Sequence, residues 1–149
     1  MNNSTIQDLG LKKLLVIPFI VYGLRGIAVL LFLNEQGGLT IILPEDGGLP
    51  PNVDYFFSTT IFVVTVAMLA STMYLFNQSG IGNYAMKGLV IMFFFIGQFV
   101  AWDVVIEIII YERTILGYIE AVFIDYSPVI FIPLFMGWTM QKEFAKKNT

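Results

Sequence analysis

The sequence reads as an all-α integral membrane protein: a four-helix bundle of four transmembrane helices, with both tails on the cytoplasmic side. Three observations carry this. The 149 residues are 57% hydrophobic and only 13% charged, with a mean hydropathy of +0.79, well beyond the apolar share of an ordinary soluble domain. Four apolar runs reach the roughly 20 residues that a helix needs to cross a bilayer. All six lysines fall on one side of those runs, and only Arg113 in the loops on the other. Subtracting the runs leaves only short tails and three loops, so residues 1–149 form a single membrane domain.

The first span covers about 14–33. Its length exceeds the roughly 7–15 residues of a signal-peptide core, and no small-x-small cleavage pattern follows it. The ten residues before it, MNNSTIQDLG, are polar and read as frayed or interfacial. Pro18 lies about one turn inside the span, and Gly23 with Gly26 offers a thin edge to another helix. The connection 34–54 is punctuated by Gly37–Gly38, Gly47–Gly48 and Pro50–Pro51, with an apolar LTIILP between them. It is a candidate lid over the outer end of the bundle.

The second span, about 55–76, carries no charge and stops at Asn77-Gln78-Ser79-Gly80. The third, about 88–110, is aliphatic and aromatic in its inner half and polar in its outer half. The fourth, about 116–139, holds Glu120 and Asp125 in its outer half and is bent by Pro128 and Pro133. Trp138 sits at the level of the inner interface. Four crossings place Lys12, Lys13, Lys87, Lys142, Lys146 and Lys147 on one side. The excess of lysine there makes it cytoplasmic.

Cysteine and histidine are both absent. That excludes disulfides, thiol redox chemistry, zinc–thiolate centres, and histidine-ligated haem or copper. No phosphate loop, dinucleotide fingerprint or nucleophile elbow is present, and the charge pattern offers nothing to nucleic acid. No cofactor or bound metal is expected.

The chemistry concentrates on one charge. Arg25 lies inside an apolar run, in IVYGLRGIAVLLFL, and a charge at that depth costs about 2.5 kcal/mol or more unless it is paired. At 1.5 Å per residue, Arg25 is about 12 Å from the outer end of its span. Asp125 is about 13 Å deep on the same rise, and Asp103 about 6–10 Å. Depth therefore ranks Asp125 first and Asp103 second as partners of Arg25. Tyr22 is one turn from Arg25, and Glu107 shares a helix face with Asp103. Gln98 and Trp102 supply a polar group and an aromatic wall, and Glu120 lies about one turn into the fourth span.

Arg25, Asp103, Asp125, Tyr22, Gln98, Trp102, Glu107 and Glu120 are thus the candidate ligand-binding set. Three functions remain open. The first is non-enzymatic binding of a lipid-like or cationic small molecule in a polar pocket near the outer leaflet. The second is an accessory or structural subunit of a larger membrane complex. The third is an isomerase-like enzyme using a buried carboxylate as acid and base. A purely structural ion pair is the plain alternative to all three.

The layout resembles the DoxX-like group of small four-span membrane proteins. The resemblance lies in overall size, in LRGIAVLLF within span one, in LPEDGGLPP before span two, and in GQFVAWD late in span three. It implies a four-helix membrane fold and, for members similar to subunits of quinone-linked oxidoreductase complexes, a partner protein. YSPVIFIP in span four is similar to the tyrosine- and proline-rich last helix of the four-span sterol-isomerase group. That similarity implies ligand binding between helices.

Overall fold

The computed structural model describes residues 3–30, 53–106 and 126–147. Most of loop 34–54, the outer ends of spans one and three, the first part of span four, and Glu107, Glu120 and Asp125 lie outside the described residues. Five helices follow in order: α1 (Asn3–Leu9), α2 (Leu11–Leu30), α3 (Val53–Gln78), α4 (Tyr84–Asp103) and α5 (Ser127–Lys147).

Within the N-terminal segment, residues 3–9 are helical rather than frayed. They form α1, whose Thr5 and Leu9 are buried. Gly10 separates it from α2 at φ 80, a left-handed conformation that glycine adopts without a Cβ clash. α2 begins at Leu11 and α4 at Tyr84, before positions 14 and 88, and α5 runs on past 139. Hydropathy fades at lysine and glutamine, but these residues continue a helix readily. Lys87 consequently sits in the first turns of α4, not in a loop.

Between α3 and α4 the chain turns within five residues. The Ser79 N–H and Oγ both donate to Phe76 O, at 3.2 and 2.9 Å, which satisfies a helix-end carbonyl. Gly82 and Asn83 then take positive φ values of 98 and 52. At the other end of α4 the helix widens into a π-turn over 104–106, immediately after Asp103. Pro128 lies in the first turn of α5, where its missing N–H interrupts no helix bond.

α4 packs most extensively on α5, α2 on α3, α3 on α5, and α2 on α4. Contacts therefore run around the circuit α2–α3–α5–α4. The closest approach is between α4 and α5. A Cβ on Gly88 would collide with Pro133 O, and one on Gly137 would lie 2.6 Å from Tyr84 O. The Gly23–Gly26 edge, by contrast, meets no described neighbour: a Cβ at either position has nothing within 4 Å. The core joins Leu14, Val64, Met68, Ile91, Phe95 and Phe99.

Around this apolar core, large apolar side chains lie exposed while several polar ones are buried, which is unusual for a water-soluble domain. Phe62, Phe131 and Phe135 are 68%, 66% and 64% exposed, whereas Arg25, Thr60, Thr72, Lys87 and Asp103 are buried. Two stretches, Ser58–Gln78 and Tyr84–Ile106, are long and apolar enough to cross a membrane.

Candidate functional site

An ionic centre joins α2, the end of α4 and the start of α5. Arg25 lies on the inward side of α2, one turn after Tyr22. Asp103 lies in the last turn of α4, and Tyr126 directly precedes α5. Arg25 Nη1 donates to Asp103 Oδ1 at 2.7 Å. The Tyr22 hydroxyl donates to the same oxygen at 2.7 Å, and the Tyr126 hydroxyl donates to Oδ2 at 2.6 Å. The Asp103 side chain is wholly buried and that of Arg25 is 11% exposed. Burying two charges is unfavourable unless their hydrogen-bonding groups are met. Three donors to one carboxylate, each charge-assisted, meet that requirement.

Aromatic rings fix the donors. Phe99, one turn before Asp103, packs edge-on to Tyr22 at 5.2 Å and against Tyr126 at 5.8 Å. Trp102 stacks on Tyr22 at 6.4 Å and packs on Phe19 at 5.5 Å. The Arg25 guanidinium lies 5.5 Å from the Tyr22 ring centre, within cation–π range. Phe19, Tyr22 and Trp102 thus form a continuous ring surface beside the ion pair. Phe19 is 52% exposed at its outer edge.

Of the eight candidate residues, the structure brings Arg25, Asp103, Tyr22 and Trp102 together. Arg25 engages Asp103, the second of its two depth-matched partners; Asp125, the first, lies outside the described residues with Glu107 and Glu120. Gln98 stands apart, on a shallow groove of about 250 Å³ shared with Phe93, Phe94 and Gly97. Tyr126 and Phe99 were not legible as site residues. The only hint was the position of Tyr126 next to the acidic residue Asp125 in DYSP.

A second ion pair lies at the opposite end of α4. Lys87 is 2% exposed and its ammonium lies 2.6 Å from Asp8 Oδ2. It also donates to Ser79 Oγ at 3.2 Å and to Gly80 O. Asp8 Oδ1 accepts the Gly80 N–H at 2.8 Å. The Lys87 hydrogen bond, and then the Gly80 N–H, hold the Asp8 carboxyl below its ordinary value of 3.8. α1 is therefore docked by a salt bridge onto the α3–α4 turn.

Neither a family model, nor a curated protein, nor a solved structure matches this chain.

Proposed function

We propose that the chain is a small multi-pass membrane protein that binds a lipid-like molecule in the outer half of a four-helix transmembrane bundle, without converting it. The observation that carries this reading is the ring surface of Phe19, Tyr22 and Trp102 laid against the Arg25–Asp103 pair. It offers aromatic, largely apolar area beside a polar centre, a combination common in small-molecule sites. Both Asp103 oxygens already accept donors, which favours a ligand held by ring stacking over a cationic one. Four crossings are supported by the apolar outer faces of all four long helices, with Phe19, Phe62, Phe93 and Phe131 each more than half exposed. The six lysines gathered toward one end support cytoplasmic tails.

Native mass spectrometry after gentle extraction tests the reading. A defined small mass should accompany the protein, and its occupancy should fall about tenfold in Trp102→Ala. A ligand-free protein, or unchanged occupancy in both Trp102→Ala and Phe19→Ala, contradicts it.

A second reading, an accessory subunit of a membrane complex, is favoured by the open Gly23–Gly26 edge, flanked by exposed Leu24 and Ile27. The DoxX-like resemblance points the same way. Co-purifying protein subunits in the same experiment would favour it. An isomerase-like reaction at Asp103 requires Tyr22 or Tyr126 to release the carboxylate. A catalysed rate that vanishes in Asp103→Asn would favour that alternative.

A further inference from the structure

We infer that the end of the molecule carrying Lys12, Lys13 and the last turns of α5 binds the phosphate headgroups of anionic phospholipids. The inference rests on the bilayer crossing proposed above and adds a second lipid contact, far from the ionic centre.

Two hydrogen bonds gather this end around the α3–α4 turn. Gly80 N–H to Asp8 brings α1, and with it the start of α2. The Tyr84 N–H donates to Gln141 Oε1 at 2.9 Å, which brings the last third of α5. Six lysines meet two acids there, Asp8 and Glu143. Both acids are engaged internally: Asp8 with buried Lys87, and Glu143 with Lys146 at 2.9 Å. Lys12, Lys13, Lys142 and Lys147 have no carboxylate partner among the described residues.

Two of these four ammonium groups rest over exposed aromatic rings. Lys142 Nζ is 3.7 Å from the Trp138 ring centre, and Lys13 Nζ is 5.8 Å from that of Tyr74. Trp138 and Tyr74 are 50% and 48% exposed. Indole and phenol rings settle at the boundary between hydrocarbon and headgroup. A lysine held on such a ring presents its charge at the level of lipid phosphates, with its stem against apolar surface. That placement selects a membrane headgroup over a soluble polyanion.

The test reconstitutes the protein in vesicles of equimolar phosphatidylglycerol and phosphatidylcholine. Mild extraction and native mass spectrometry then give the ratio of the two lipids retained. Wild type should retain phosphatidylglycerol in excess. Each lysine removed should lower the ratio by up to about fivefold, so that K12Q/K13Q/K142Q/K147Q approaches parity. If the quadruple variant fails to insert, K12Q/K13Q and K142Q/K147Q carry the same readout. Parity in inserted wild type, or a wild-type ratio in the lysine variants, overturns this inference and leaves the crossing intact. Wild type that stays soluble without vesicles or detergent overturns the crossing, and this inference with it.

Discussion

Asp103 accepts hydrogen bonds from Arg25, Tyr22 and Tyr126 in a place that water does not reach, so each donor matters more than its single bond suggests. Arg25→Leu alone leaves the buried Asp103 carboxylate without its cation and should destabilise the protein by about 3–5 kcal/mol. The double variant with Asp103→Leu, apolar at both positions, should recover most of that loss. Tyr126→Phe removes one charge-assisted bond while keeping the ring against Phe99, and should cost about 1.5–3 kcal/mol. Denaturant unfolding in detergent, read as a double-mutant cycle, gives the coupling directly. Strictly additive single losses would show that the pair is not the unit described here. Depth along the helices found Arg25 and its two candidate partners. It ranked Asp125 ahead of Asp103; the Asp103 contact is the one described, and Asp125 lies outside the described residues. Which helices stand side by side, and at what height, is not written in hydropathy.

At the scale of elements, hydropathy identified α2, α3, α4 and the described part of α5, and the helices run on beyond the apolar runs where lysine and glutamine continue them. It missed α1, because a seven-residue polar segment has no helix signal of its own and is held by Asp8 on a lysine 79 positions away. The glycines were half legible. Gly23 and Gly26 suggested a close approach, but the contact lies at Gly88 and Gly137, where Pro133 O and Tyr84 O occupy the space of a side chain. Gly88→Ala should therefore cost about 1–3 kcal/mol through overpacking. Gly97→Ala, with nothing within 4 Å of its Cβ, should be neutral or slightly stabilising. Equal effects in thermal unfolding would contradict the α4–α5 contact. The docking of α1 carries its own pH signature. The Asp8 carboxyl is lowered in the folded state, so its contribution is present above the ordinary value of 3.8 and is lost as pH falls below it. Wild type should be more stable than Asp8→Asn at neutral pH, and the gap should close below about pH 3.8. A gap that is absent at neutral pH, or unchanged in acid, would contradict the docking.

For the whole molecule, the arrangement of polarity supports a membrane setting. Arg25 and Asp103 are buried, Phe19, Phe62, Phe93 and Phe131 on the four long helices are each more than half exposed, and the two ends differ in the sign of their charge. The lysine end gathers around the α3–α4 turn, and the chain between α2 and α3 carries Glu35, Glu45 and Asp46 without a lysine. Both the proposed lipid-like ligand and the proposed headgroup contact depend on one orientation in a bilayer, with the lysine end inside. The chain has no cysteine, so single cysteines can report it without background. Asn3→Cys, Gly47→Cys, Ile81→Cys and Thr149→Cys, each labelled in intact cells with a membrane-impermeant thiol reagent, test it most directly. Only the cysteine at position 47 should react from outside, and positions 3, 81 and 149 should react only after permeabilisation. Reaction of position 81 from outside, or positions 3 and 149 on opposite sides, would contradict it.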